Sequence, residues 1–518
     1  MSDFLAGAGV VVAAGASAAA ILLPAGSRAR PAAMLVALVL FPALILGDQW
    51  HSRAIVDLRD NATRLAELGV AALAISVGFA AVFRRRPFVL PLAIVAALPF
   101  RVPLHAGGDT ANLLVPLYLV IAGGVLAIAF GSWSSRRAVS PAGGADDGGG
   151  EDSSARSAPP SSVTGPAGQR AIVWLPRILA TVVVLYALQT LYSPDFSKGL
   201  QNVCFFFVPF SLVYALLRDV EWDRRLLILV LWVVGIEAVA FVLVGTVEYL
   251  SKSLFWNDQV IRSNEFHTYF RVNSVFWDPN IFGRYLALAI VVAMAALLWA
   301  RDRRAQALLA ALVAVLWIGL APTFSQSSFA ALLAGLAVLA ALRWSLRWTL
   351  AAVAAALVAG ILVIALAGGS GKLSFNRINI DTSGRANLVS GGIHLFAQRP
   401  LYGYGSGSFP KAYREHVHTR KVPVSVSHTE PITAAAEQGL VGLLAYVALL
   451  VAALWTMGSG LLRLRPAGGV AARAAVLATF IALLVHTMAY AGFFEDPIAW
   501  VLLAAGASLA AVPVREET

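Results

Sequence analysis

Apolar runs of about twenty residues recur along most of this chain, and no other feature limits its fold so strongly. A helix of that length rises ~30 Å, the thickness of the hydrocarbon core of a bilayer. Within hydrocarbon every backbone N–H and C=O must be paired inside the protein, so runs this long read as spanning helices, and their length excludes a β-barrel. Candidate spans are 5–23, 32–47, 64–83, 88–100, 111–131, 172–191, 200–217, 225–250, 280–300, 305–321, 326–342, 348–367, 432–457, 473–493 and 497–513. The expected architecture is all-α, a polytopic transmembrane helical bundle of about 14–15 spans. Only 13% of the 518 residues are charged, against about 25% in a soluble chain.

The formal charge of +11 is distributed in a way that argues for membrane topology rather than nucleic acid binding. Arg28/Arg30, Arg84–Arg86, Arg136/Arg137, Arg218/Arg224/Arg225, Arg301/Arg303/Arg304, Arg343/Arg347 and Arg463/Arg465/Arg473 all fall between spans on one side. The positive-inside rule makes that side cytoplasmic. Loops 48–63, 101–110, 192–199, 251–279, 368–431 and 493–496 then face out. The first apolar run lacks a basic segment before it, which predicts an uncleaved first span with its N-terminus outside. Cys204 is the one cysteine, so neither a disulfide nor a cysteine metal site is expected.

Residues 132–170 are rich in Gly, Ser and Pro and cannot bury a core. They are expected to form a disordered cytoplasmic linker between N-terminal helices in 1–131 and a C-terminal transmembrane domain in 171–518. The largest polar interval inside the latter is loop 368–431, expected to carry short helices on the extracytoplasmic side. Ala386, Val389, Ile393 and Phe396 give an apolar stripe at helical spacing, which Thr382 or Ser383 would cap and Pro400 and Gly403 would end. Arg385 falls in the first turn, where the helix dipole opposes a cation unless an anion binds there too. Gly403-Tyr404-Gly405-Ser406-Gly407 reads as a tight turn rather than a nucleotide loop, with Tyr402, Tyr404 and Phe409 as aromatics to stack on sugars.

His428 stands just before a helix that begins Glu430-Pro431, with Thr429 as its expected cap. Its side chain is the one that exchanges a proton near neutral pH. Glu437 lies two turns into that helix and is expected to need a cationic partner such as Arg284 or Arg385. Upstream, Asp278-Pro279 should start a span near Asn280, which puts Arg284 one turn in on the same face. Arg284 reads either as a snorkelling side chain or as an anion ligand facing a polar cavity. The Ser-rich stretch Thr323 to Ser328, with Gln326, either caps the next helix or lines a cavity. His486 and Glu495-Asp496-Pro497 read as structural. No carboxylate-rich metal motif appears in an outer loop, so arginines are the expected counter-charge.

Four segments resemble the bacterial O-antigen ligase and polymerase superfamily of lipid-linked glycan transferases. They are Arg271 to Tyr285, Thr323 to Ser328, Ser383-Gly384-Arg385 through Gly405, and His428 to Gly442 with Glu437-Gln438-Gly439. The resemblance covers 270–445 and nothing before 170. It implies an inverting glycosyltransferase without metal or other cofactor, in the cytoplasmic (inner) membrane of a bacterium, with its active site facing outside. Its partners would be a glycan donor on undecaprenyl diphosphate and a glycan or lipid acceptor. Carried onto this sequence, His428 would be the catalytic base. Arg385 would hold the diphosphate, assisted by Arg284 and Arg271, with Glu437, Gln326 and Asn280 supporting. Two positions depart from the family pattern: Gln326 follows Ser325 where members often have Arg, and Thr429 follows His428 where Asn is common. Two other functions use the same residues differently. A transporter or flippase would bind the lipid-linked glycan without reacting, and an inactive scaffold would only organise an assembly complex.

Overall fold

The computed structural model describes residues 3–52, 56, 62–106, 109–134, 166–266, 269–367, 385–417, 426–461 and 468–511. The architecture is a polytopic helical bundle. Among the described residues, eleven helices are long and apolar enough to cross a membrane, and 115–131, 346–356 and 497–511 add shorter apolar helices.

The N-terminal part comprises α1 (Asp3–Leu22), α2 (Ala29–Asp48), α3 (Ala62–Arg85), α4 (Val89–Ala97) and α5 (Val115–Ser134). The expected span at 88–100 fails: α4 has nine residues, about 14 Å of helix, too short to cross hydrocarbon. The chain leaves it through an antiparallel hairpin, β1 (Val102–Ala106) with β2 (Asp109–Leu113), in which Val102 faces Leu113 and His105 faces Thr110. That hairpin also takes the first residues of the span expected at 111–131.

Helix α5 runs on to Ser134 and α6 (Pro166–Thr190) begins at Pro166, so both edges of the expected linker are helical; 135–165 lie outside the described residues. The helices before this interval share one apolar core with those after it. At one end of the bundle the buried Arg30 donates to Asp219 at 2.6 Å and to the Ala215 carbonyl, and Arg218 donates to the Ile21 carbonyl.

After α6 come α7 (Phe196–Asn202), a π-helical turn at Val203–Phe207, α8 (Val208–Leu217), α9 (Arg224–Ser251) and the short α10 (Asp258–Phe266). Helix α11 (Pro279–Trp299) starts where expected: Pro279 occupies its first position and the Asp278 carboxylate accepts from the Asn280 N–H at 2.6 Å. It packs against α12 (Arg303–Leu320), α13 (Gln326–Arg343) and α18 (Gly468–Thr487). Helices α14 (Leu346–Ala367), α15 (Arg385–Gln398), α16 (Phe409–His416), α17 (Glu430–Gly458) and α19 (Pro497–Ala511) complete the order.

Helix α15 exists but buries a different face from the one its apolar stripe indicates. Leu388, Gly391, Gly392 and Leu395 are buried, whereas Ile393 is 52% exposed. The reason is close packing: a Cβ at Gly391 would collide with the Tyr413 ring, and one at Gly392 with the Ile432 side chain. Glycines contribute nothing to a hydrophobic pattern yet mark the contact face.

Helix α17 is broken at Gly439, whose φ of 65° and ψ of −161° are not helical. The carbonyls freed by the break accept from the 403–407 turn: Tyr404 N–H donates to Ala436 O at 3.1 Å and Gly405 N–H to Glu437 O at 2.7 Å. In return Leu440 N–H donates to Pro400 O at 2.7 Å. Both sides need glycine, because a Cβ at Gly403 would strike the Glu437 carbonyl and one at Gly439 the Leu401 carbonyl.

Candidate functional site

The site lies at the end of the bundle where α11, α13 and α17 begin and α18 ends. His428 stands two residues before the start of α17 and adopts φ 63°, a left-handed conformation uncommon outside glycine. The turn around it is tied down on both sides. Ser427 Oγ lies 2.8 Å from both the Thr429 carbonyl, to which it donates, and the Thr433 hydroxyl. Thr429 does not cap α17 as expected: its hydroxyl donates to the Met488 carbonyl at 2.7 Å. The Glu430 carboxylate accepts from the Gly492 and Phe493 N–H groups at 2.7 and 3.1 Å. Arg385, the first residue of α15, donates from Nη1 to the Ala489 carbonyl at 3.3 Å. One strap, residues 488–493, therefore fastens the histidine turn, the start of α17 and Arg385 together. Sequence reading gave that strap no role, because its work is done by backbone atoms, which every sequence has.

Arg271 approaches from the loop before α11. Its Nε donates to Thr323 O at 2.9 Å and its Nη2 to Asn280 Oδ1 at 3.2 Å. The loop that carries it is braced on both flanks. The Asn264 side chain bonds both the Arg271 N–H (3.0 Å) and its carbonyl (2.9 Å). The fully buried Glu248 accepts from the Asn273 and Ser274 N–H groups at 3.1 and 2.7 Å. Arg271 and Arg385 lie close enough to act on one another electrostatically, and Arg385 and Asp278 both act on His428. Burial holds the His428 imidazole below its ordinary pKa, the positive charge of Arg385 lowers it further, and Asp278 works weakly the other way. The neutral imidazole is thus the favoured form near pH 7, which is the form a base needs.

Arg284 has a different environment. It is neither snorkelling nor open to a cavity: its Nη2 meets Asp496 Oδ2 at 2.9 Å, and both side chains are buried. The ion pairs among the described residues are this one, Arg30–Asp219 and Arg218–Asp219, so neither Arg271 nor Arg385 is paired within 4.0 Å. Arg101, just beyond α4, adds a half-buried cation that interacts with Asp496 and Arg284. Sequence reasoning passed over it as an ordinary loop residue.

Other expectations change as well. Glu437 takes no cation among the described residues. Its two oxygens accept from Gly407 N–H at 2.8 Å and Phe409 N–H at 3.0 Å, so it caps α16 and locks the glycine turn. It belongs to the frame under the loop and not to the arginine group. Tyr404 and Phe409 are buried, and Tyr404 is covered by Arg399 at 4.4 Å from its ring centroid, which leaves Tyr402 as the aromatic open to a sugar. Ser325 caps α13, and Gln326 is exposed on its first turn. Ser327 Oγ and His486 Nε2 lie 3.1 Å apart in the buried layer beneath. Among the described residues no three or more of His, Cys, Asp and Glu gather in a metal-binding group. Thr382, Ser383, Arg377, His418, Arg420 and Lys421 lie outside the described residues.

One end of the multi-pass bundle thus carries a histidine and two arginines that have no ion-pair partner among the described residues. Residues 311–447 match the family described as O-antigen ligase. The match spans α12 to α17 and includes Gln326, Arg385, His428 and Glu437; it supports the O-antigen ligase and polymerase superfamily, a family of membrane glycosyltransferases. No curated protein matches the chain.

Proposed function

We propose that this protein is an inner-membrane glycosyltransferase, independent of metal, that moves a glycan from undecaprenyl diphosphate to an acceptor hydroxyl on the extracytoplasmic face. The observation that carries the reading is the grouping of His428 with Arg385 and Arg271, two guanidinium groups without a carboxylate partner among the described residues. His428 takes the acceptor proton as the acceptor oxygen bonds to the anomeric carbon. The bond from that carbon to the diphosphate oxygen breaks, and its electron pair leaves with the diphosphate. Attack opposite the leaving group inverts the anomeric centre. Arg271 and Arg385 supply the positive charge that the leaving group requires.

The transporter alternative has one structural echo, the break in α17, since transporters place broken helices at their sites. Here the freed carbonyls at Ala436 and Glu437 are occupied by backbone N–H groups of the 404–405 turn, so the break holds a loop rather than a ligand.

The test is complementation of a deletion strain with the His428→Ala form. Transfer should fall on the order of 10²–10⁴-fold with membrane protein level unchanged. Loss of long surface chains with short units still attached would indicate a polymerase. Accumulation of lipid-linked polymer would indicate a ligase. Full transfer by His428→Ala would remove the imidazole as base.

A further inference from the structure

At the opposite end of α11, α12 and α13 from the site, the three helices border a shallow cavity of about 640 Å³ that lies largely open at the surface. Its walls are Leu297 and Leu298 of α11 and the small Ala307 and Ala310 of α12, which leave the room. Its rim is Arg303 and Arg343. Arg343 is pinned there by its Nε, which donates to the Leu298 carbonyl at 3.2 Å; its two Nη groups have no partner among the described residues. Trp344, also at the rim, is 70% exposed, and Trp348 nearby is 69% exposed, as expected of indoles at a membrane interface.

Two further observations indicate what fits. Between 301 and 350 the sequence has one acidic residue, Asp302, against Arg301, Arg303, Arg304, Arg343 and Arg347. That carboxylate is already engaged in capping α12, accepting from Ala305 N–H at 2.9 Å. The rim is therefore a surplus of positive charge beside hydrocarbon-facing walls. In addition, α12 is poorly covered by protein: 17% of its apolar window is buried, and Leu308 and Ile318 are 65% and 67% exposed. A single molecule that satisfies both has an anionic head and aliphatic chains.

We propose that this cavity binds one anionic phospholipid, its phosphodiester held between Arg303 and Arg343 and its acyl chains laid along α12. Guanidinium groups match phosphate oxygens with paired hydrogen bonds, and basic pockets between spanning helices select anionic headgroups over zwitterionic ones. The inference is independent of the proposed reaction, because the cavity is lined by the ends of α11, α12 and α13 that lie away from the site.

Native mass spectrometry of the full chain, released from detergent, tests it. The probes are phosphatidylglycerol, phosphatidylcholine with the same acyl chains, and inorganic phosphate. The wild type should retain one phosphatidylglycerol at collision energies that strip phosphatidylcholine, and inorganic phosphate should not displace it. Arg303→Ala with Arg343→Ala should lower retention roughly tenfold or more, the loss of charge-assisted bonds to one phosphate. Arg301→Ala with Arg304→Ala removes as much charge from the same end but not from the rim, and should retain the lipid. Equal retention of both lipids, displacement by phosphate, or equal loss in the two double variants would overturn the proposal. The last result would mean that the arginines act only as a diffuse basic belt. All four substitutions are at exposed positions, and matched thermal unfolding in phosphatidylcholine checks that the variants remain folded.

Discussion

Arg284 and Arg271 come from neighbouring stretches of one chain and end at the same end of the bundle, yet they have opposite electrostatic roles. Arg284 is buried and its charge is answered by Asp496 at 2.9 Å. Arg271 spends its hydrogen bonds on a carbonyl and an amide and has no carboxylate within 4.0 Å among the described residues, with Asp278 acting on it from farther off. Arg385 resembles Arg271: it donates to the Ala489 carbonyl. A buried ion pair is a structural element whose loss is costly. A cation held in place by neutral acceptors is positioned for an anion that comes and goes. On the proposed reading, Arg284 belongs to the frame and Arg271 and Arg385 to the ligand.

The largest effect that would break this comparison is on stability. Arg284→Ala takes the ion-pair partner from the buried Asp496, leaving it only the more distant Arg101, and should destabilise the protein by about 3–5 kcal/mol, seen as a lowered melting temperature in detergent. Arg284→Met combined with Asp496→Leu should recover most of that loss. A melting temperature unchanged by Arg284→Ala would move Arg284 back among the ligand-binding residues. A smaller effect sharpens the other half. Glu248→Gln should disturb the turn at Asn273 and Ser274 and loosen Arg271, raising KM for the lipid donor about tenfold with a lesser change in kcat. In an Arg271→Ala background the same substitution should add nothing to KM. An additive effect there would show that Glu248 acts on the fold alone.

The contrast also explains what the sequence can and cannot reveal. The apolar runs foretold the spans, and Asp278-Pro279 foretold where α11 starts, because both are local signals of length and capping. Arg284 was legible as a costly residue near a membrane edge, but its partner was not, since Asp496 lies far along the chain and only tertiary packing brings it near. Glu437 shows the same limit: a carboxylate inside a span demands a partner, and nothing local says that the partner is the backbone of a returning turn. Gly403, Gly391 and Gly392 were legible as turn or helix residues, whereas their contacts became visible only through what a Cβ would strike. The short α4 and its hairpin were missed because an apolar run near a span's length conceals a helix that ends early; Gly107-Gly108 was the available turn signal.

The central claim is that a neutral His428 accepts a proton while the neighbouring Arg385 has no ion-pair partner among the described residues. The pH dependence of kcat/KM measures this directly, since its acidic limb reports the pKa of the essential base in the free enzyme. His428 is held below the ordinary histidine value of about 6.5, first by burial and then by Arg385. A base with a lowered pKa stays active as pH falls below its ordinary value and loses activity only when it is protonated at a lower pH. The wild-type limb should therefore fall below pH ~6.5, and Arg385→Ala should move it upward. A limb that Arg385→Ala leaves in place, or one that survives in His428→Gln, would contradict the account.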